Sequence, residues 1–186
     1  MKALLKNIAA VQTGVYAKPI IKGEVFYIQA RHFDHNHQFN LNTTPDLGID
    51  NKITKHFLQT GDVLIASKGN DHFAVLYKGI IKPAVASSMF IVIRLHKKNN
   101  LLPEFLVWFI NQKQIQTLLH GSAKGTSIPS ISISTLADLE IPIPSIEKQK
   151  SILKIYDLWQ EEIKLKTKIE SLKEKQIQNH LINALK

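Results

Sequence analysis

The chain has 186 residues, 44% hydrophobic and 21% charged, the make-up of a folded globular protein with room for one domain and an appendage rather than a disordered chain. Its net charge of +9 favours a polyanionic partner, and the lack of cysteine excludes disulfides, thiolate metal sites and cysteine nucleophiles. No stretch approaches the roughly 18 apolar residues of a membrane span, and Lys6, Asn7 and Gln12 interrupt any signal-peptide core, so a cytoplasmic protein with no membrane partner is expected.

Residues 1–100 read as β-rich. Four short apolar segments, 24–29 (EVFYIQ), 62–67 (DVLIAS), 73–78 (FAVLYK) and 89–95 (MFIVIRL), are bounded by Gly, Asn, Asp or Lys clusters. Gly61-Asp62 and Gly69-Asn70-Asp71 have turn chemistry, because Gly and Asn tolerate positive φ. Strands this short predict a mixed, strongly curved sheet of the α/β (α+β) class rather than repeated βαβ units. Residues 31–56 are polar and aperiodic and read as a long loop.

From Leu102 to His120 the period becomes helical, with Leu102, Phe105, Leu106, Phe109, Ile110, Lys113, Ile115, Leu118 and Leu119 recurring roughly at helical spacing. Pro103 suits the first turn and Gly121 the stop. A Gly/Ser/Lys loop and a short Ser/Ile segment then lead to a proline-locked stop, Ile141 to Pro144. Beyond it neither Gly nor Pro occurs, Ser145 can cap a helix, and Glu147 suits its first turn. A helix to Lys186 would be about 60 Å long at ~1.5 Å per residue. Ile152, Ile155, Leu158, Leu165, Ile169 and Leu172 mark an imperfect heptad stripe, with Glu162 and Gln176 at seam positions and Ile177, Leu181 and Leu185 drifting to a neighbouring face. So narrow a stripe fits a second helix better than a broad core. The expected organisation is a domain over residues 1–144 and a pairing helix over residues 145–186.

Catalytic constellations are weak. His32, His35 and His37 in RHFDHNH have ligand chemistry but no identifiable distant ligand or base, so no metal is assigned. Asp46, Asp50 and Lys52 imitate a metal-nuclease signature, yet lie too close together to come from two strands. Ser151 with Lys154, and Ser122 with Lys124, have serine–lysine spacing but no implied oxyanion hole. Phosphate-loop, dinucleotide and amino-methyltransferase motifs are absent.

A binding surface remains. Nine lysines and six acidic residues follow Ile146, so most of the positive excess lies before the terminal helix. Lys18, Lys22, Lys52, Lys68 and Lys124 suit phosphate contact, whereas Gln29, Arg31, Asn70, Ser87, Ser88, Thr126 and Ser127 have the groups that read base edges.

The order of LLKNIAAVQTG, VFYIQARHF, TGDVLIASKGN, AVASSMFIVIRL and GTSIPSISISTLADLEIPIPSIEKQKSI resembles the DNA specificity subunit of type I restriction–modification systems across nearly the whole chain. That resemblance implies a non-catalytic, sequence-specific reader of double-stranded DNA. It also implies methyltransferase and restriction partner subunits, with S-adenosylmethionine, ATP and magnesium used only by them. The family carries two recognition domains, each followed by a long helix, and the two helices pair antiparallel. This chain holds one domain and one helix, so the resemblance implies a half-subunit: a homodimer through the helix, half of a two-chain unit, or a spare cassette. It places DNA-facing loops near Arg31, Lys68 to Asn70, Ser87-Ser88 and Lys124 to Ser127. Two other readings stay open, a protein-interaction module that dimerises through its helix and a small metal-dependent nuclease.

Overall fold

The computed structural model describes residues 1–34, 37–40, 42–69, 71–98, 100–122 and 129–185. The chain divides into two units, Met1–Ile146 and Glu147–Lys186. The first opens with β1 (Lys2–Leu4), the single turn α1 (Leu5–Ile8) and β2 (Ala9–Thr13). Then β3 (Phe26–Ile28) runs into a 3-10 turn at Ala30–His32, and α2 (Asn51–Thr54) precedes β4 (Val63–Ala66), β5 (Ala74–Leu76), β6 (Ala84–Ala86) and β7 (Phe90–Leu95). After them come α3 (Pro103–Ile110), α4 (Lys113–Ser122), α5 (Ile133–Ala137) and β8 (Glu140–Pro142), and the long α6 (Ile146–Asn183) makes up nearly all of the second unit. This is a mixed α/β fold with a long C-terminal helix.

A four-stranded sheet runs β2-β7-β4-β5 with every pairing antiparallel. Two small ladders flank it, β3 with β6 in parallel and β1 with β8 antiparallel. Period-2 alternation explains how the short β6 stitches the core. Ala84 and Ala86 face a cluster with Leu64, Phe73, Tyr77, Phe90 and Val92, while Val85 faces a second cluster with Val15, Val25, Tyr27, Leu47 and Ile53. β3 divides in the same way, with Ile28 in the first cluster and Tyr27 in the second. β4 is buried at every position, as an unbroken apolar run predicts for an inner strand.

Two close approaches demand glycine. A Cβ on Gly14 would lie 2.1 Å from Ser87 O, and one on Gly23 would lie 2.3 Å from Leu47 N. Any side chain at either position would push these backbones apart.

The four apolar segments expected as strands are strands, each shorter than its apolar run. The single helix expected over residues 102–120 is two. α3 ends at Asn111, whose side chain leaves the helix to serve β5: Ala74 N–H donates to Asn111 Oδ1 and Asn111 Nδ2 donates to Ala74 O, both at 2.8 Å. The amide thus acts as a partner strand for an edge. Segment 31–56 is not a plain loop, since it holds the 3-10 turn, the Phe33–Phe39 and Val25–Leu47 bridges, and α2. β8 falls inside the proline-rich stop, where a two-stranded ladder tolerates Pro142 at its end.

Candidate nucleic-acid interface

Because β3 and β6 are parallel, their C-terminal ends lie side by side, and Ser87 N–H donates to Ile28 O at 2.8 Å. The end of β4 joins them: Ser67 gives both its N–H (2.8 Å) and its Oγ–H (3.0 Å) to Met89 O. The three strand ends therefore bring Gln29, Arg31, Lys68 and Ser88 to one end of the unit. Arg31 and Lys68 are exposed, and Gln29 and Ser88 are half-buried. Aromatic packing braces the segment behind them. The Phe33 ring lies 5.4 Å from Phe39, 5.5 Å from Phe73 and 5.7 Å from Phe90, all edge-on. His37 stacks on Phe73 at 4.1 Å, and its Nε2 is 2.8 Å from Asp71 Oδ2.

His32 sets the pose of the turn. Gln29 N–H donates to His32 Nδ1 at 3.2 Å, which puts the proton of the neutral ring on Nε2. Arg31 Nε lies 3.4 Å from the other ring nitrogen, the longer of the two contacts to the ring. Burial, helped by the Arg31 charge, holds the His32 pKa below its ordinary value. A neutral His32 leaves Arg31 as the positive charge of the turn.

Lys18, Lys22 and Lys52, a second set of the lysines singled out for phosphate contact, are exposed. They come from the 16–22 segment and from α2, which follows the 45–49 strip. Ser87 departs from the expectation of an exposed reader. It is 3% exposed, and its hydroxyl is enclosed without a hydrogen-bond partner. Its backbone instead closes the turn, with Ser87 O accepting from Phe90 N–H at 2.9 Å. Asn70, Lys124, Thr126 and Ser127, like His35 of the histidine loop, lie outside the described residues.

The nuclease-like acids have local backbone duties. Asp46 Oδ1 accepts from Tyr27 N–H at 3.0 Å, and Asp50 Oδ1 caps α2 by accepting from Ile53 N–H at 2.6 Å. Among the described residues, no group of three or more His, Asp or Glu is placed to hold a metal. Arg94 is likewise occupied. It grips Asp62 through Nε (2.8 Å) and Nη2 (2.7 Å) and also donates to Phe57 O, so it is a structural cation.

The stripe on α6 is open over its length. Ile155, Leu158, Leu165, Ile169 and Leu172 are between 51% and 68% exposed, while Ile152 near the helix start is half-buried. A second apolar row branches from Ile152 through Tyr156, Trp159 and Ile163, three residues the heptad stripe does not include, with the two aromatic rings 5.9 Å apart. Its spacing of four, three and four was available in the sequence. No described helix is long and apolar enough to cross a membrane.

Residues 12–174 match the family model described as the type I restriction modification DNA specificity domain. The type I restriction enzyme MjaVIII specificity subunit of Methanocaldococcus jannaschii is 33% identical over 64 residues, covering 34% of this chain and 15% of that protein. Two crystal structures share the fold. The type I restriction–modification S subunit of M. genitalium aligns with a TM-score of 0.56 at 18% identity, over 87% of this chain and 39% of that one. The HsdS subunit of Thermoanaerobacter tengcongensis aligns with a TM-score of 0.58 at 14% identity, over 88% of this chain and 38% of that one. The chain thus spans less than two-fifths of either solved relative.

Proposed function

Because the chain belongs to the type I restriction–modification DNA specificity family, we propose that it binds duplex DNA sequence-specifically and directs methyltransferase and restriction partners to that sequence. The observation that carries this reading is the meeting of Gln29, Arg31, Lys68 and Ser88 where β3, β4 and β6 end, on a protein of net charge +9. Arg and Gln suit base edges, while Lys suits phosphates as a point charge. The chain itself is a recognition subunit. S-adenosylmethionine, ATP and magnesium chemistry would belong to its partners, and α6 would pair with a second copy of itself.

Selection of duplexes from a random library by the purified chain, alone and with a methyltransferase subunit, tests this reading. A palindromic motif split by a fixed spacer is the expected result, since a two-fold pair of readers imposes two-fold symmetry on the site. A single unsplit half-site would refute helix pairing but keep DNA reading. No enrichment under either condition would sink the DNA reading in favour of a protein-interaction module built on the exposed apolar rows of α6.

A further inference from the structure

Residues 16–22 (YAKPIIK) display apolar surface that the described residues leave uncovered. Tyr16 is 71% exposed, Ile20 49% and Ile21 101%. Ile49, at 51%, extends the patch, for a Cβ on the neighbouring Gly48 would sit 3.8 Å from Ile20 Cδ1.

This segment is braced. Tyr27 Oη donates to Val15 O at 2.8 Å and accepts from Ala17 N–H at 3.3 Å. Farther along, Ile20 N–H donates to Asp46 O at 2.7 Å and Gly23 N–H to Pro45 O at 3.2 Å. Pro19 restricts the tip, and the crowding around Gly23 fixes its exit. Two aliphatic side chains are therefore held out on a scaffold, at the cost of wetting them.

Charge identifies the occupant. Lys18 and Lys22 bracket the two isoleucines and Lys52 lies on the adjoining α2, all exposed. Of the nearby acids, Asp46 and Asp50 turn an oxygen toward backbone N–H groups, and Glu24 lies beyond the brace. An aliphatic tip between cations matches a polyanion whose interior is apolar, as in duplex DNA. There phosphates flank thymine methyl groups and base faces.

Resting on the DNA reading above, we propose that Ile20 and Ile21 form an apolar tip pressed against the bases of the duplex, with Lys18 and Lys22 on the flanking phosphates. The tip would add apolar recognition to the hydrogen-bonding groups at the strand ends.

The test uses the full chain, the duplex it selects, and two double variants, Ile20→Ser/Ile21→Ser and Lys18→Ala/Lys22→Ala. With unchanged thermal melting, the isoleucine variant should bind about ten-fold or more weakly at an unaltered salt slope, because the lost contact is apolar. The lysine variant should instead flatten the slope of log K against log salt by about 2, at ~0.9 per phosphate contact. Weaker wild-type binding on replacing thymine by uracil, or brightening of 2-aminopurine in the site, would support the tip and identify the base surface it touches. Wild-type affinity and motif in the isoleucine variant would overturn it. So would loss of anionic-vesicle or methyltransferase-subunit binding with duplex affinity intact. Failure of the wild-type chain to select any duplex would strike the DNA reading first, which separates the two failures.

Discussion

Asp62 and Arg94 hold each other through two parallel hydrogen bonds, with the Asp62 side chain 1% exposed and Arg94 33%. Asp62 also accepts from Gln59 N–H, so it ties the turn before β4 to the far end of β7. Removing the carboxylate would leave a half-buried guanidinium and an orphaned amide. Asp62→Ala is expected to lower stability by about 3 kcal/mol in urea unfolding, toward the low end for breaking a buried pair because Arg94 keeps some access to water. His32 gives a pH signature. Its folded pKa lies below the ordinary value, so the unfolded chain takes up the proton first as pH falls. Stability attributable to His32 is full above about pH 6.5, declines from there to the depressed folded value, and is level below it. His32→Asn retains an acceptor for Gln29 N–H and cannot titrate. Urea midpoints across this range should therefore vary less with pH than those of the wild type, and an unchanged profile would refute the assignment.

At the scale of the element, α6 presents two apolar rows. The heptad row through Leu165, Ile169 and Leu172 lies where the helix is exposed on all sides, and Glu162 and Lys166 form an i,i+4 ion pair at its surface. If the heptad row joins two copies, Leu165→Lys with Ile169→Lys should raise the dimer dissociation constant by at least 100-fold in sedimentation equilibrium. Trp159→Ala should change it by less than ten-fold, because Trp159 stands on the other row. Equal effects would show that both rows lie in one interface. The helix was legible in the sequence because it is long, free of Gly and Pro, and strongly periodic. The break between α3 and α4 was not legible. Asn111 looks like an ordinary helical surface residue until the unpaired edge at Ala74 is placed beside it. Nor was β6, whose three small residues become a strand only through the pairing with β3 that splits Ala84 and Ala86 from Val85.

For the whole molecule, a net charge of +9 makes salt the natural probe of DNA binding. If Lys18, Lys22, Lys52 and Lys68 each neutralise one phosphate, affinity should fall on the order of 100-fold between 50 and 200 mM salt, at a slope near −3.6. A flat response would indicate that these cations serve only solubility. The strand-end group was partly legible. Gln29, Arg31 and Lys68 carry suitable chemistry, but only the parallel β3–β6 ladder shows that distant segments finish together. Ser87 illustrates the limit of residue type: a serine beside a strand end can face inward, and this one does, at 3% exposure.

The β1–β8 ladder has a consequence for how such chains change over time. It sets Lys2 opposite Pro142 and Leu4 opposite Glu140, with Ile143 N–H donating to Met1 O at 2.8 Å. Entry and exit of the first unit therefore share one doorway. Genetic exchange with crossover points at that doorway would transplant every other strand pairing as a parcel and, on the DNA reading proposed above, carry its target preference with it. A crossover within the β2-β7-β4-β5 sheet would instead divide partners between parents.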